Sequence, residues 1–456
     1  MKRSVSVLLA LLAVLAFAVS AFATHPSEPA EKAPIFAKGK STIELGGSIR
    51  FRGDYRADII STAGAVTTHK ADYDGRVRLH MNAYVSDNTM GRVHLESGDD
   101  NNDDTYTWGC DAGVDGSGTA GLGQGNCKKE EVQVLEAWIQ HQGSGLLGMP
   151  AGIKIGHMPL KLGRGLFFDH TRFGDDAINV FVKPMDNLTV EYVNVKFTEG
   201  TATDADDETD GHVLIAGYKG GAFNASADVT YLRDKDLGGK DGTNLWNYAI
   251  RGDVDAGMAK IYAEIDLQSG KIKDATTDKN FKGYAFVVGA DAKMADVGLN
   301  LEFGYGSGDN DDTDDDQKAF QTSLSAIQKD KFTYVYDYRQ FAASGSTNTG
   351  ISNTTYVRLG ADAKATPDLS VAAELYWLRA SKSYKDTVAG TAIDEKGIGV
   401  ELDARANYKI DANFSYFIEG GILFAGDLYD EIAKAADTED DFSNPWVVRH
   451  GVVLAF

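Results

Sequence analysis

Apolar and polar residues alternate with a period of two along most of this chain beyond residue 40. The clearest runs are 261–267, 297–305 and 398–408. Successive side chains of a β-strand point to opposite faces, so the alternation predicts strands with one apolar and one polar face. Helical periodicity is almost absent outside the N-terminal segment. The chain is therefore predicted to be almost wholly β.

The links between these strands predict how the sheet is organised. Eighteen strands are expected, near 43–56, 73–82, 92–96, 132–142, 151–157, 177–183, 188–197, 212–218, 223–232, 245–254, 259–268, 282–292, 297–306, 354–363, 369–379, 397–408, 413–424 and 445–456. Short links such as 183–187 and 293–296 alternate with long loops rich in Asp, Gly and Thr, such as 308–353 and 426–444. This alternation predicts an all-β fold, a transmembrane antiparallel β-barrel of about 18 strands with short periplasmic turns and long acidic extracellular loops.

The last strand, 445–456, fits the closing strand of such a barrel. Its apolar face carries Trp446, Val448, His450, Val452, Leu454 and Phe456. A terminal aromatic after alternate apolar residues resembles the signal by which Gram-negative bacteria recognise barrels for assembly. Phe456 is therefore the expected contact with the barrel-assembly machinery. Taken alone, the segment also fits the edge strand of a soluble β-sandwich.

The N-terminus predicts the compartment. Lys2 and Arg3 precede an apolar run that ends in the small-residue site Ala21-Phe22-Ala23. This is the pattern of a secretory signal peptide, so residues 1–23 are predicted to be removed. Residues 24–40 are then a flexible periplasmic lead-in, and 41–456 form the barrel. The expected location is the outer membrane, in contact with lipid and lipopolysaccharide.

Composition supports this fold and excludes one class of partner. The chain has 50 Gly, 20 Tyr and 21 Phe but 8 Pro, which fits many short strands with aromatic ends. Its net charge of −22 at pH 7 argues against binding nucleic acid. The acidic run 309–316 lacks the glycine that a calcium loop needs at its sharp turn, so a solvated loop is expected there and no metal site.

Charged residues on the polar faces predict the lining of the lumen. In a closed sheet the last strands lie beside the first, which brings ten basic residues onto one wall. They are Arg50, Arg52, Arg56, Arg76, Arg78, His80, Arg92, His94, Arg405 and Arg449. The opposite wall is predicted to be acidic and to carry Glu191, Asp228, Asp253, Glu264, Asp266, Asp291 and Glu302. The alternative is that each arginine is neutralised by a carboxylate on a neighbouring strand.

The third extracellular connection differs from the other loops. Residues 156–178 carry Leu160, Leu162, Leu166, Phe167, Phe168 and Phe173, which an exposed loop has no reason to carry. The segment is predicted to fold inward and narrow the pore. Its candidate constriction residues are Lys161, Arg164, Asp169, Arg172, Asp175 and Asp176, with the three cations expected to approach the arginine wall. Packing on the barrel rim or at a subunit interface is the alternative.

The same segment carries a family resemblance. The runs Gly163-Arg-Gly-Leu-Phe-Phe-Asp and Gly174-Asp-Asp-Ala-Ile resemble alginate-export-type barrels and related porins of Gram-negative bacteria, including metal-reducing ones. That resemblance implies eighteen strands and a porin-like channel. In the polysaccharide exporters a strongly cationic lumen selects an anionic polymer. Here the predicted acidic wall favours a general or mildly selective porin.

Cysteine and histidine usage adds two expectations. Cys110 and Cys127 lie in one long loop, and two cysteines in an oxidising compartment predict a disulfide. No Cys-x-x-Cys-His motif occurs, so no haem is attached and no cofactor is expected. The nine His are scattered, with no evident Ser, His and acid grouping, which argues against an enzyme.

Taken together, the sequence predicts an outer-membrane porin whose water-filled channel passes small hydrophilic or charged solutes by diffusion. Two alternatives stay open: an exporter of an anionic polysaccharide, and a barrel sleeve that supports extracellular electron transfer by other proteins. Monomer and homo-oligomer are both compatible with the sequence.

Overall fold

The computed structural model describes most of the predicted barrel. The described residues are 35–38, 41–60, 66–98, 132–146, 148–198, 208–235, 242–273, 278–311, 313–323, 333–336, 350–388, 391–435 and 444–456. The predicted signal peptide, Cys110 and Cys127 lie outside them.

Eighteen long strands form the wall of the barrel. The first nine are β1 Ser41–Ile60, β2 Val66–Ser86, β3 Thr89–Ser97, β4 Gln133–Leu146, β5 Met149–Met158, β6 Asp175–Met185, β7 Leu188–Thr198, β8 Thr209–Lys219 and β9 Phe223–Asp234. The others are β10 Thr243–Asp255, β11 Ala259–Ile272, β12 Tyr284–Met294, β13 Val297–Gly306, β14 Thr354–Thr366, β15 Leu369–Val388, β16 Thr391–Lys409, β17 Phe414–Ala425 and β18 Trp446–Ala455. Each corresponds to a predicted strand.

The sheet closes on itself. Each strand pairs antiparallel with the next along the chain, and β18 pairs antiparallel with β1 from Ser48↔Ala455 to Ala57↔Trp446. Below this seam, the backbones of Gly47 and Phe456 exchange two hydrogen bonds of 2.9 and 3.0 Å. A closed sheet leaves no edge unpaired at the join, which is what spanning a bilayer requires. The predicted fold class is confirmed.

A short strand continues the seam at the turn end of the barrel. Ile35–Lys38 pairs antiparallel with Ser41–Glu44, the part of β1 that extends past the end of β18. Four residues of the predicted lead-in 24–40 therefore pair with the first strand of the barrel. Two further short strands, Lys279–Phe281 and Asp316–Gln317, pair in parallel near the loop end.

The outer surface is an apolar belt between two groups of aromatic residues. Exposed aliphatic side chains in the belt include Ile139, Ile155, Leu214, Ile250 and Leu301. Exposed aromatic rings lie towards the loop end at Trp246, Tyr284 and Trp377, and towards the turn end at Phe223, Tyr408, Tyr416 and Phe456. So much exposed apolar surface is stable in lipid and not in water.

The loop end of the lumen is packed with protein. Three connections enter it: the third loop (159–174), described parts of the seventh loop (307–353), and a helix in the ninth loop (426–445). The helix, α1, spans Asp427–Ala435 and buries Leu428, Tyr429 and Ile432. A single hydrophobic core joins Phe167 and Phe168 of the third loop, Phe320 and Tyr336 of the seventh, and these helix residues.

This packing corrects two expectations from the sequence. The seventh and ninth loops were predicted to be long acidic extracellular loops, and almost no helical pattern was expected outside the signal peptide. Leu428, Ile432 and Ala435 are spaced by four and three residues, which is the inward face of one short amphipathic helix. No helix in the described part of the chain has the length and hydropathy to cross a membrane.

Candidate functional site in the barrel lumen

The predicted basic residues lie on the lumen face, but carboxylates lie among them. Asp74 on β2 accepts hydrogen bonds from Arg50 Nη2 at 2.9 Å and from Arg52 Nε at 2.6 Å. Arg50 is almost fully buried, so this ion pair is shielded from water. An arginine held in this way stabilises the barrel wall and is not available to bind a solute, because loss of either partner would leave a buried charge unpaired.

The pairing extends along the wall. Asp54 binds Arg56 and Arg449, each at 2.9 Å. Glu96 binds Arg78 at 2.6 Å and lies 3.7 Å from Arg76. The predicted basic wall therefore also carries inward carboxylates that pair with its arginines across neighbouring strands, which is the alternative that the sequence left open.

The next pairs continue onto β3 and β4. Glu136 accepts from Arg92 Nε at 2.9 Å and lies 3.2 Å from His94 Nδ1. The His80 and His94 rings meet edge to face, with centroids 5.8 Å apart. Arg405 faces the lumen on β16 and is buried. All ten predicted basic residues thus lie on inward-facing positions of neighbouring strands.

The wall keeps an excess of positive charge. Among the described side chains on β1, β2, β3 and β18, seven arginines lie beside four carboxylates of the same strands, Glu44, Asp54, Asp74 and Glu96, and beside two of the adjoining strands, Glu136 on β4 and Glu419 on β17. Arg78 and Arg92 are the most accessible of these arginines, with 24% and 23% of their side-chain surface exposed, and Arg56 follows at 21%. Lys154 on β5 adds a cation over the Trp138 ring, 4.0 Å from its centroid. The cationic excess reaches water at these residues.

The opposite wall is also mixed. Arg251 on β10 lies between two carboxylates. It pairs with Asp228, and its Nε lies 3.5 Å from Glu264 Oε1. Glu302 binds Arg358 at 3.3 Å, and the Tyr262 and Tyr356 hydroxyls donate to it at 2.8 and 2.9 Å. The remaining predicted acids have partners too: Glu191 with Asn179, Asp253 with Lys260, Asp266 with Asn247, and Asp291 with Asn300.

The third loop docks on this acidic wall. The backbone N–H of Arg164 donates to Glu264 Oε2 at 2.6 Å. The Arg164 guanidinium lies 3.5 Å from the centroid of the Tyr262 ring and 3.4 Å from Glu302. Arg164 was expected to approach the arginine wall; it lies instead on the opposite wall, where its backbone N–H bonds to Glu264 and its guanidinium lies beside Glu302.

The other candidate constriction residues separate. Lys161 and Asp169 pair within the loop at 2.7 Å. Arg172 lies over the Phe173 ring. Asp176 begins the outward-facing row of β6 and bonds to His157 at 2.8 Å, so its predicted place in the lumen is wrong. Asp175, one residue earlier, points inward because side chains alternate along the strand.

Asp175 belongs to a buried chain of three polar side chains. His170 Nδ1 lies 2.7 Å from Asp175 Oδ2, and His170 Nε2 lies 2.6 Å from Ser323 Oγ in the seventh loop. Because a carboxylate only accepts, Nδ1–H donates to Asp175, and in the neutral ring Nε2 then accepts from the Ser323 hydroxyl. No Ser, His and acid grouping was evident from the sequence, since its members come from the third loop, the first residue of β6 and the seventh loop.

This grouping does not make an enzyme site. His170 and Ser323 have no exposed surface, and Phe168 stacks on the imidazole with centroids 4.2 Å apart. A substrate cannot reach a nucleophile that is wholly covered. The three residues instead connect the third loop to the seventh.

A second contact of the seventh loop falls on β16. The backbone N–H groups of Tyr334 and Val335 donate to Glu401 Oε1 at 2.9 and 2.7 Å, and that of Tyr336 donates to Oε2 at 2.9 Å. Burial raises the pKa of the Tyr334 phenol, so the ring stays neutral at physiological pH. Alternation placed Glu401 on the lumen face, but no sequence signal marked it as a loop contact.

No three His, Cys, Asp or Glu side chains within the described ranges are arranged to hold a metal ion. The acidic run 309–316 uses its carboxylates locally: Asp309 accepts from the backbone of Lys318, and Asp314 pairs with the Lys318 side chain.

A closed sheet with an apolar belt outside and a charged lumen inside defines an outer-membrane β-barrel of the porin fold. Solved structures with this fold include Pseudomonas aeruginosa OpdK with vanillate, at a TM-score of 0.53 and 10% identity, over 90% of this chain and 98% of that one. OccK9 (OpdG) of the same organism gives 0.52 and 12%, over 91% and 98%. OccK5 (OpdH) gives 0.51 and 11%, over 90% and 98%. No family model and no curated protein sequence matches the chain.

Proposed function

We propose that this protein is an outer-membrane channel that passes small hydrophilic solutes by diffusion and favours anions. The observation that carries the proposal is the cationic excess of the wall formed by β1, β2, β3 and β18, together with the exposure of Arg78 and Arg92. Fixed charge in a low-dielectric channel raises the local concentration of ions of opposite sign.

The third loop is the proposed constriction element. Its tip at Gly163 and Arg164 reaches Glu264 on β11, so the loop crosses into the lumen from β5 and β6. The proposed route for water runs along the other side of the barrel, which carries Arg78 and Arg92. Arg164 keeps 39% of its side-chain surface exposed, which adds one cation at the edge of the passage.

The test is ion selectivity in planar bilayers. Under a KCl gradient, the protein should conduct, and the sign of its reversal potential should show that chloride passes more readily than potassium. The double variant Arg78→Gln and Arg92→Gln removes two accessible charges and should move the reversal potential towards cations. The shift should be larger in dilute salt, because the screening length is about 30 Å at 0.01 M and about 10 Å at 0.1 M.

Lys282→Gln is the matched control. Lys282 pairs with Asp316 near the loop end and is 58% exposed, so its loss removes a cation outside the lumen. Its reversal potential should equal that of the parent. A parent protein that does not conduct would contradict the channel, and an unchanged reversal potential in the double variant would contradict the anion preference.

Solute choice can be tested in the same bilayers. Vanillate is the anion named for OpdK, so it serves as a probe, with an anionic polysaccharide as the second. Block or permeation by the small anion alone supports a porin, and permeation by the polymer supports the export alternative. Assembly through Phe456 is also part of the proposal, because this residue completes the seam between β1 and β18.

A further inference from the structure

The seventh loop places one compact turn inside the barrel. In Thr333–Tyr336 the Thr333 hydroxyl donates to the Tyr336 carbonyl at 2.9 Å, which closes the turn. Its three successive N–H groups converge on the two oxygens of Glu401. Such a row of backbone donors is an anion-binding arrangement, and here the anion is a carboxylate of the barrel wall. Glu401 has no exposed surface, so water does not compete for it.

The wall is shaped to receive this turn. A Cβ at Gly421 on β17 would collide with the Asp403 carboxylate and would lie 3.2 Å from both Tyr334 Cβ and Val335 Cγ2. The missing side chain therefore leaves room for Asp403 and for the turn. Asp403 adds a second acceptor, 3.2 Å from the Tyr334 N–H.

The turn also lies next to the cationic side of the lumen. Asp403, which accepts from the Tyr334 N–H, is on the same inward-facing row of β16 as Arg405, and Gly421, which the turn approaches, pairs with Val447 on the same inward-facing row of β18 as Arg449. The third loop contacts β11 and β13 at Glu264 and Glu302, whereas this turn contacts β16 and β17. The two loops thus occupy different sectors of the wall.

We propose that Glu401 is a positioning residue that holds Thr333–Tyr336 in the lumen as a second constriction, so that Tyr334 narrows the passage beside Arg405 and Arg449. The inference rests on the proposed channel function. It assigns a role in solute passage to a carboxylate that touches no solute itself and acts through the backbone of the loop.

The experiment compares two carboxylates that face the same lumen. Glu401→Gln keeps the shape but leaves one amide NH2 group facing backbone donors, so the turn should detach. Glu374→Gln on β15 removes an equal charge, and Glu374 bonds to the Tyr376 hydroxyl instead of a loop backbone. Any effect of charge alone on conductance is common to both variants.

Two readouts separate positioning from charge. The first is single-channel conductance, which should rise in Glu401→Gln and not in Glu374→Gln. The second is the rate at which a small thiol reagent modifies Val335→Cys, in a background with Cys110 and Cys127 replaced by Ser. Glu401→Gln should raise this rate about tenfold, the factor for loss of one hydrogen bond to a charged group. Glu374→Gln should leave it unchanged.

Equal modification rates in Glu401→Gln and the parent would overturn the inference, as would equal conductance changes in the two Gln variants. A silent parent channel would instead contradict the proposed function. If Glu401→Gln fails to assemble, Thr333→Ala decides, because it loosens the turn without touching a barrel strand. It should raise the modification rate of Val335→Cys, and an unchanged rate would count against a held turn.

Discussion

At the scale of single residues, neighbouring charges decide which side chains are available to a solute. Arg50 and Arg52 share Asp74, whereas Arg78 and Arg92 pair and still reach water. The position of the backbone at the tip of the third loop also depends on neighbouring side chains, as Gly163 shows. Its φ of 52° lies in the left-handed region, and a Cβ there would overlap Arg251 and Glu264. Only glycine lets the loop tip approach the wall this closely.

Replacing Gly163 by Ala should displace the tip of the third loop. The left-handed conformation costs an L-residue about 1–2 kcal/mol, and the new Cβ would collide with the Glu264 carboxylate that holds Arg164. Single-channel recording should show higher or noisier conductance with normal assembly. Gly145→Ala is the control, since a Cβ there meets nothing within 4 Å. Identical recordings for both variants would show that the tip does not restrict the passage.

At the scale of elements, the third loop, the seventh loop and helix α1 act as one packed unit inside the barrel. Their apolar side chains form one core, and His170 connects the two loops through Asp175 and Ser323. The loop backbone is further fixed by hydrogen bonds such as that from His170 N–H to the Leu160 carbonyl, at 2.8 Å. The loops are therefore part of the folded structure of the lumen.

Replacing His170 by Phe should loosen both loops while the barrel stays closed. The ring keeps its packing on Phe168, but Asp175 and Ser323 lose their partner in a buried site, at a cost of about 3 kcal/mol. Hydrogen exchange should speed up roughly a hundredfold in peptides from the third loop, in proportion to the lost local stability. Barrel strands should exchange as before.

His141→Phe is the matched control for this variant. His141 is exposed at the turn end and bonds to Thr89 Oγ1 at 2.8 Å, so its loss should leave loop exchange unchanged. If His170→Phe also leaves the loop peptides protected, the buried polar chain does not hold the loops together.

At the scale of the whole molecule, closure of the sheet decides stability and location together. The seam between β1 and β18 completes the hydrogen bonding of every strand, and the apolar belt outside it needs lipid. Phe456 lies at the turn end of this seam, where its ring covers Gly47. The Phe456 Cζ atom would lie 3.0 Å from a Cβ added to Gly47. We therefore expect that only detergent extracts the protein from membranes, and that heating changes its mobility on gels.

Phe456→Ala should reduce the fraction of protein that assembles in cells, measured as the heat-modifiable band on gels. The backbone bonds to Gly47 remain, but the terminal ring is lost from the seam. Phe424→Ala is the control, because Phe424 is an outward-facing aromatic of equal exposure, 43% against 42%, that is not terminal. Equal losses in the two variants would mean that the ring of Phe456 acts only through its contact with lipid.

Much of the fold follows from the sequence alone. Alternation along 261–267 or 398–408 sets which residues face lipid and which face the lumen, because a strand has no other way to place them. Turn residues such as 295–296 mark the short connections. The inward position of all ten basic residues and the unusual third loop could also be read in this way.

Only the tertiary structure decided which charges meet. Arg164 lies 100 residues from Glu264 along the chain, and His170 lies 153 from Ser323. The carboxylate of Glu401 binds backbone N–H groups, which every residue carries, so the sequence gives no sign of that contact. Alternation fixes the face of a side chain by local geometry. The partner that a side chain contacts across the lumen depends on the curvature of the closed sheet. It also depends on which apolar surface each loop packs against.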